Sequence, residues 1–290
     1  MNKTIIVSLV IICTTVIFYY LYKIIEQEHF TSTNKICCIY AYYEKNELYK
    51  ANLNFFLDHG ILENVDYYII INGDCSVPIP NKNNVKVWYR ENIGFDFGAY
   101  SFALKKMTDS YNYYFFINTS VCGPYLKDNS KPWTDHFLEL FNEKDTKLVG
   151  TSINIYTENY IHGVPLSLRE IYKKPGPYTH VQSMFFCLDH EAVQFLNNAH
   201  FFNEEEMNNL TDIQQVIAHK ELGLSQLLIK NNWNINCILP KYKNIDYRTL
   251  NHDINKTSHF GDPYFQDKYF GGNIDKYEAI FYKNNRPITT

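Results

Sequence analysis

The signatures of metal and redox chemistry are scarce in this sequence of 290 residues. Its seven cysteines contain no CxxC pair, which argues against a zinc site, and their odd number does not suggest a disulfide framework. Cys37, Cys38, Cys122, Cys187 and Cys237 lie in or beside apolar runs and read as small buried hydrophobes. No P-loop ending in Gly-Lys-Ser/Thr and no Rossmann glycine fingerprint occurs, so an ATPase or a dinucleotide enzyme loses most of its support. A basic excess is also missing. With 27 Lys and Arg against 31 Asp and Glu, a net charge of -4 and a pI near 6.2, the chain lacks the basic face of a nucleic-acid binder. No internal repeat and no low-complexity linker divides it.

What is present is a globular composition, 46% hydrophobic and 20% charged, unusually rich in Tyr and Phe. The N-terminus opens on an uncharged apolar run from Thr4 to Tyr22, bracketed by Lys3 and Lys23. That length of helix just crosses a hydrocarbon core of roughly 30 Å. Tyr19, Tyr20 and Tyr22 sit where an interfacial aromatic belt would lie. No small-residue cleavage site closes the run, which favours a retained anchor over a cleaved signal peptide. The expected organisation is an anchor over residues 1–25, a short stem over 26–34 and one domain over 35–290. A single-pass protein with a type II signal-anchor is the expected topology, with orientation only weakly set by one lysine on each side.

The domain alternates strands and helices. Strands are predicted over Lys35–Tyr43, Val65–Asn72, Val85–Tyr89, Tyr111–Asn118, Leu148–Ile155, Ser183–Leu188 and Asn234–Leu239. Helices are predicted over Glu47–His59, Tyr100–Met107, His190–Asn197 and Glu221–Lys230. Near-continuous apolar strands alternating with helices imply an α/β fold: a mixed, mostly parallel sheet flanked by helices. Residues 241–290 are polar and aromatic, and read as a tail wrapped over the domain.

In such sheets ligands bind beyond the carboxyl ends of the strands, and polar residues collect at those ends here. Asn72-Gly73-Asp74 follows the second strand, Arg90 to Gly98 the third, and Asn118-Thr119-Ser120 the fourth. Within Asn92–Tyr100 (NIGFDFGAY), two glycines would let backbone approach a ligand, and the following helix would offer N–H groups to a phosphate. Each cluster alone is also an ordinary set of turn residues; three after successive strands point to a site.

With these motifs in hand, the chain resembles GT-A-type glycosyltransferases, and more closely the rhamnan-synthesis F-like group and related eukaryotic and viral proteins. The resemblance rests on Asn72-Gly73-Asp74, on NIGFDFGAY and on a strand ending NTSVCGPY. It continues through Val149–Asn154, His180–Phe185, Glu221–Ser225 and Tyr277–Arg286, covering nearly everything after the stem. It implies a GT-A-like (Rossmann-like) fold that binds a nucleotide-sugar donor and transfers the sugar to a glycan or glycolipid. Tyr40, Asn72, Asp74, Asn92, Gly94, Asp96, Asn118, Ser120 and His180 would line the donor site, the last behind a Gly/Pro loop at Lys173–Tyr178 that would act as a lid. Members of this fold carry Asp-x-Asp after the fourth strand to hold Mn²⁺ or Mg²⁺. Asn118-Thr119-Ser120 stands there instead, and an amide and a hydroxyl are weak ligands for a hard cation. Metal held with the help of Asn118 and Ser120, and metal-independent catalysis, therefore both stay open. In the second case Lys283 and Arg286 would balance the diphosphate. The resemblance makes Glu221 the catalytic base, with Asp96 the other catalytic carboxylate and Asp189 a rival for the base. Glu221 also reads as a helix N-terminal acid. A glycan-binding pseudoglycosyltransferase, or a structural membrane protein, are the alternatives.

Overall fold

The computed structural model describes residues 13–20, 34–128, 130–157 and 168–286. Residues 13–20 form an exposed helix, α1. They belong to one compact unit, Met1–Lys35, and the remainder, Ile36–Thr290, forms another. Among the described residues no helix is long and apolar enough to cross a membrane. The rest of the predicted Thr4–Tyr22 span, and all of the stem but Asn34, lie outside the described residues.

The second unit is built on β1 (Ile36–Tyr42), α2 (Glu47–His59), β2 (Val65–Asn72), β3 (Val85–Arg90), α3 (Phe95–Lys106) and β4 (Tyr113–Asn118). All seven residues of β1 are buried, as expected of a parallel strand covered on both faces. α2 starts where the Asn46 side chain accepts from the Tyr49 N–H, and ends at Gly60, whose N–H returns to Phe56 O. Beyond β4 come β5 (Val121–Cys122), α4 (Trp133–Leu138), β6 (Thr146–Gly150), β7 (Ile153–Tyr156), α5 (Leu168–Tyr172), β8 (Tyr178–Val181) and β9 (Phe185–Asp189). There follow α6 (His190–Asn198), α7 (Glu204–Asn209), α8 (Ile213–Val216), a π turn (Ile217–Glu221), α9 (Leu222–Lys230), β10 (Asn234–Cys237), α10 (Lys276–Ala279) and β11 (Tyr282–Lys283).

The main sheet runs β10-β6-β9-β4-β1-β2-β3, with β9 antiparallel to both neighbours and every other pairing parallel. This is the mixed, mostly parallel sheet that the sequence predicts. After β1 the chain moves outward through β2 and β3, then returns to place β4 on the other side of β1. That reversal opens a crevice at the carboxyl ends of β1 and β4, the switch point of the sheet. Register brings the polar strand ends level, with Asn72 opposite Arg90 and Asn118 opposite Ala41.

Two predicted elements differ. Leu148–Ile155 is not one strand: β6 stops at Gly150, and β7 leaves the sheet to pair antiparallel with β8. A Cβ on Gly150 would lie 2.2 Å from Val181 Cγ1, so β8 crosses too closely for any other residue there. α3 begins at Phe95 rather than Tyr100, because Gly94 and Phe95 adopt left-handed backbone and turn the chain directly into helix.

The tail closes over the domain. Tyr242, Tyr247, Tyr264, Ile280 and Phe281 are buried. Phe281 stacks on Phe185 with centroids 4.3 Å apart and meets Trp133 at 5.1 Å. β11 pairs antiparallel with β5, placing Lys283 opposite Val121.

Candidate functional site

The crevice floor is the turn after β4. Asn118 Nδ2 donates to Asp96 Oδ2 at 2.8 Å, and Asn118 Oδ1 accepts from Ser120 N at 3.0 Å and Ser120 Oγ at 2.5 Å. Asp96 Oδ1 accepts from Phe97 N at 3.0 Å. Burial pushes the Asp96 carboxyl up to about 6; donation from Asn118 pulls the other way, and the charge of Glu221 adds to the rise.

Glu221 lies across the crevice from Asp96. It does not open a helix: α8, the π turn and α9 run on continuously, and Glu221 is the last residue of the π turn. The favourable N-terminal dipole therefore gives no account of its placement, whereas π turns recur at functional sites. Its Oε1 accepts from Ser183 N at 3.3 Å and stands 3.9 Å from His180 Nε2. His180 is 1% exposed, and its Nδ1 lies 3.1 Å from Tyr178 O. Burial lowers the imidazole pKa, with Glu221 opposing.

The tail supplies the cations. Lys283, on β11 opposite Val121, lies in the same field: burial lowers its pKa, opposed by Asp262, Glu221 and Asp96. Asn284 and Asn52 exchange amide hydrogen bonds of 2.7 and 3.0 Å, and Asn52 also donates to Thr119 O at 2.9 Å, so α2, the β4 turn and the tail are tied together beside Lys283. Arg286 is not free for a ligand as expected. It is ion-paired to the buried Asp262 and lies 4.6 Å over the Phe265 ring.

Beyond β2 and β3, Asn72 is buried and its Oδ1 accepts from Arg90 Nη1 at 2.7 Å, while Arg90 Nη2 reaches Ile93 O at 2.7 Å. Asp74 and Asn92 are exposed on the rim. Gly94 sits at φ 71° with Met207 O only 2.8 Å from where its Cβ would be, and a Cβ on Gly98 would meet Ile93 O at 2.1 Å. Close packing inside the protein thus requires glycine at both positions. Tyr40 lies in the core, 1% exposed, with its ring 4.9 Å from Phe56. Asp189 caps α6 and pairs with Lys147 at the amino end of β4, opposite Tyr113, and so is remote from the crevice. The sequence marks Arg90 as a strand end and Ser183 as part of a matching stretch, but only the folded chain shows that Arg90 holds Asn72, that Ser183 N donates to Glu221 and that Asp262 pairs with Arg286.

A divalent cation does not suit the β4 turn. Both ends of the Asn118 amide are engaged within the protein, Ser120 Oγ donates to it, and among the described residues Asp96 is the carboxylate hydrogen-bonded to this turn. Among the described residues no group of three or more His, Cys, Asp and Glu is arranged to hold a metal ion.

No protein-family profile matches this chain, and no curated protein sequence does. Among solved structures the chain is similar to the mannosyltransferase PcManGT from Pyrobaculum calidifontis in complex with GDP-Man and Mn²⁺, at TM-score 0.35 and 10% identity over 56% of this chain and 46% of that one. It is also similar to S. aureus TarS 1-349, at TM-score 0.41 and 15% identity over 72% and 59% of the two chains. The same protein in complex with UDP-GlcNAc gives TM-score 0.34 and 17% identity over 56% and 47%. This chain thus spans about half the length of the structures it matches.

Proposed function

We propose that this chain is a GT-A-like glycosyltransferase, related to the rhamnan-synthesis F-like group, that moves a sugar from a nucleotide-diphosphate sugar to a hydroxyl of a glycan or glycolipid. The observation that carries the reading is the convergence of Asp96, Asn118, Ser120, Glu221, His180 and Lys283 on the switch-point crevice, from elements distant in sequence. The Thr4–Tyr22 run would tether the domain to a membrane as a type II signal-anchor, which suits an acceptor built on lipid.

Glu221 takes the proton of the acceptor hydroxyl as its oxygen attacks C1 of the sugar. The bond from C1 to the diphosphate breaks, and the electron pair leaves with the phosphate oxygen. The amide and hydroxyl after β4 do not suit a divalent cation, so Lys283 supplies the positive charge that stabilises the leaving diphosphate. Asn72, held by Arg90, and the exposed Asp74 and Asn92 border the nucleoside end of the crevice.

A thermal-shift panel of the full chain against UDP-, GDP- and dTDP-sugars, with and without Mn²⁺, tests the reading. One nucleotide family should raise the melting temperature in a concentration-dependent way, and Lys283→Met or Asp74→Ala should weaken the shift. No shift with any donor would overturn it. The second reading, glycan binding without turnover, is favoured by the exchange of two carboxylates for Asn118 and Ser120. Donor binding without transfer or hydrolysis, unaffected by Glu221→Gln, would select it.

A further inference from the structure

His180 is a deeply buried ionisable group at the crevice, and its two ring nitrogens have different neighbours. Nδ1 lies 3.1 Å from the Tyr178 carbonyl oxygen, which can only accept, so Nδ1 carries the proton. In the neutral ring Nε2 is therefore bare, and its lone pair faces Glu221 Oε1 at 3.9 Å. Two basic atoms face each other at a distance too long for a hydrogen bond and short enough to close around one proton.

We propose that Glu221 and His180 form a dyad in which His180 receives, through Glu221, the proton removed from the acceptor hydroxyl. The inference rests on the transferase reading given above. The acceptor O–H bond breaks as its proton moves to Glu221 and the oxygen bonds to C1; the C1–diphosphate bond breaks, and its electron pair leaves with the phosphate. The proton then passes from Glu221 to His180 Nε2. The resulting imidazolium donates Nδ1–H to Tyr178 O and Nε2–H to a carboxylate that has returned to its anionic form. The proton leaves to solvent after the products depart.

The surroundings suit a ring that is neutral at rest and charged only in passing. Burial disfavours the cation, and Lys283 from the tail adds to that effect. Glu221 from the π turn and Asp262 from the tail favour the cation. The Tyr156 ring of β7 packs 5.2 Å away, and β7 presents Asn154 opposite His180 in the hairpin. The Tyr178 carbonyl and the Tyr156 ring hold the imidazole in place, so the Glu221 carboxylate closes the 3.9 Å gap for the proton to pass. His180 is thus a positioning and proton-holding residue that acts through Glu221, rather than one that touches the donor.

The experiment has two arms. In the first, the full chain, labelled with ¹⁵N in its imidazoles, is examined by long-range ¹⁵N–¹H correlation, with His180 assigned by loss of its signals in His180→Asn. The expected result is the Nδ1-protonated neutral tautomer at pH 7, with an apparent pKa that falls in Glu221→Gln. A proton on Nε2, or a titration indifferent to Glu221→Gln, overturns the dyad whether or not the chain transfers sugar. In the second arm, with whichever donor stabilises the protein, His180→Asn retains a donor toward Tyr178 O and should lower kcat about 10- to 100-fold with donor KM unchanged. It should also remove one limb of the pH–rate profile. Unchanged kcat and profile overturn the relay. Failure of every donor to bind, with the first arm as expected, overturns the transferase reading and leaves the pair established.

Discussion

Replacing Phe281 by alanine tests whether the tail is a structural part of the domain and the carrier of Lys283. Phe281 is 1% exposed and stacks on Phe185 at 4.3 Å, with Trp133 at 5.1 Å and Phe56 and Phe137 each at 6.3 Å. Removing a phenyl ring from such a core costs about 3 to 5 kcal/mol, through lost burial and the cavity left behind. A domain of this size has a total stability of only about 5 to 15 kcal/mol, so the loss is large. The change also falls two residues before Lys283, immediately ahead of the strand that pairs Tyr282 with Cys122 and Lys283 with Val121. Urea denaturation of the full chain should show the midpoint falling at constant m-value. Nucleotide-sugar binding should fall as well, because the charge is no longer held beside Ser120. Phe281→Leu should retain most of both properties. A loss under about 1 kcal/mol, or full donor binding by the alanine variant, would refute this account of the tail.

Lys283→Met should leave the melting temperature nearly unchanged while weakening nucleotide-sugar binding about 10- to 100-fold in isothermal titration, the worth of a charge-assisted contact to phosphate. Gly94→Ala should lower the melting temperature by several degrees, since φ 71° is strained for alanine and its Cβ would stand 2.8 Å from Met207 O; an unchanged melting temperature would mean that the α3–α7 contact is looser than described. Asp96→Asn should stabilise the protein relative to wild type increasingly as pH rises from about 4 to about 6. The native carboxyl, raised to about 6, binds its proton more tightly than the unfolded one, so wild-type stability is fullest below the unfolded pKa and falls as pH climbs to the native value. The upper bound is about 3 kcal/mol, reduced because Asp96 is only partly buried. Melting curves of both proteins across that range check it, and a difference independent of pH would refute it.

Much of the scaffold is legible in the sequence because parallel strands covered on both faces are long apolar runs: Ile36–Tyr42 and Val65–Asn72 nearly coincide with their predictions. The polar strand ends at Asn72, Arg90 and Asn118 are legible for the same reason, since each stands where an apolar run stops. Tertiary closure is not legible. The pairing of β11 with β5, the Asn52–Asn284 amide pair and the Asp262–Arg286 ion pair join residues far apart in the chain and leave no local pattern. NIGFDFGAY is visible as a motif, but the packing role of its glycines is not. Its glycines admit Met207 O and Ile93 O, and only the positions of α7 and Arg90 reveal that. Glu221 likewise looked like a helix-opening acid, because a π turn has no sequence signature to distinguish it from a helix start.

The charges of the crevice make the sign of a pH effect decisive between the two ways of holding a diphosphate. Asp262 and Arg286 neutralise each other, which among the described residues leaves Lys283 as a cation facing Asp96 and Glu221. Above about pH 6 Asp96 adds a negative charge to this field, which is unfavourable for a dianionic ligand. A nucleotide-sugar diphosphate is a diester with no titration in this range, so the change in affinity reports the protein. If Lys283 alone balances the phosphates, affinity should rise as pH falls from about 7 to about 5 and Asp96 takes its proton, by about threefold to tenfold for a coupling of up to one pKa unit. Binding should in turn raise the Asp96 pKa, since linkage is reciprocal. If a divalent cation bridged Asp96 to the diphosphate, the sign would invert, because protonation would remove the ligand on which the metal depends. Isothermal titration at pH 5, 6 and 7, with and without Mn²⁺, reads that sign directly. Affinity that falls with acidity, and only when Mn²⁺ is present, would refute the metal-independent arrangement and assign Asp96 to a metal.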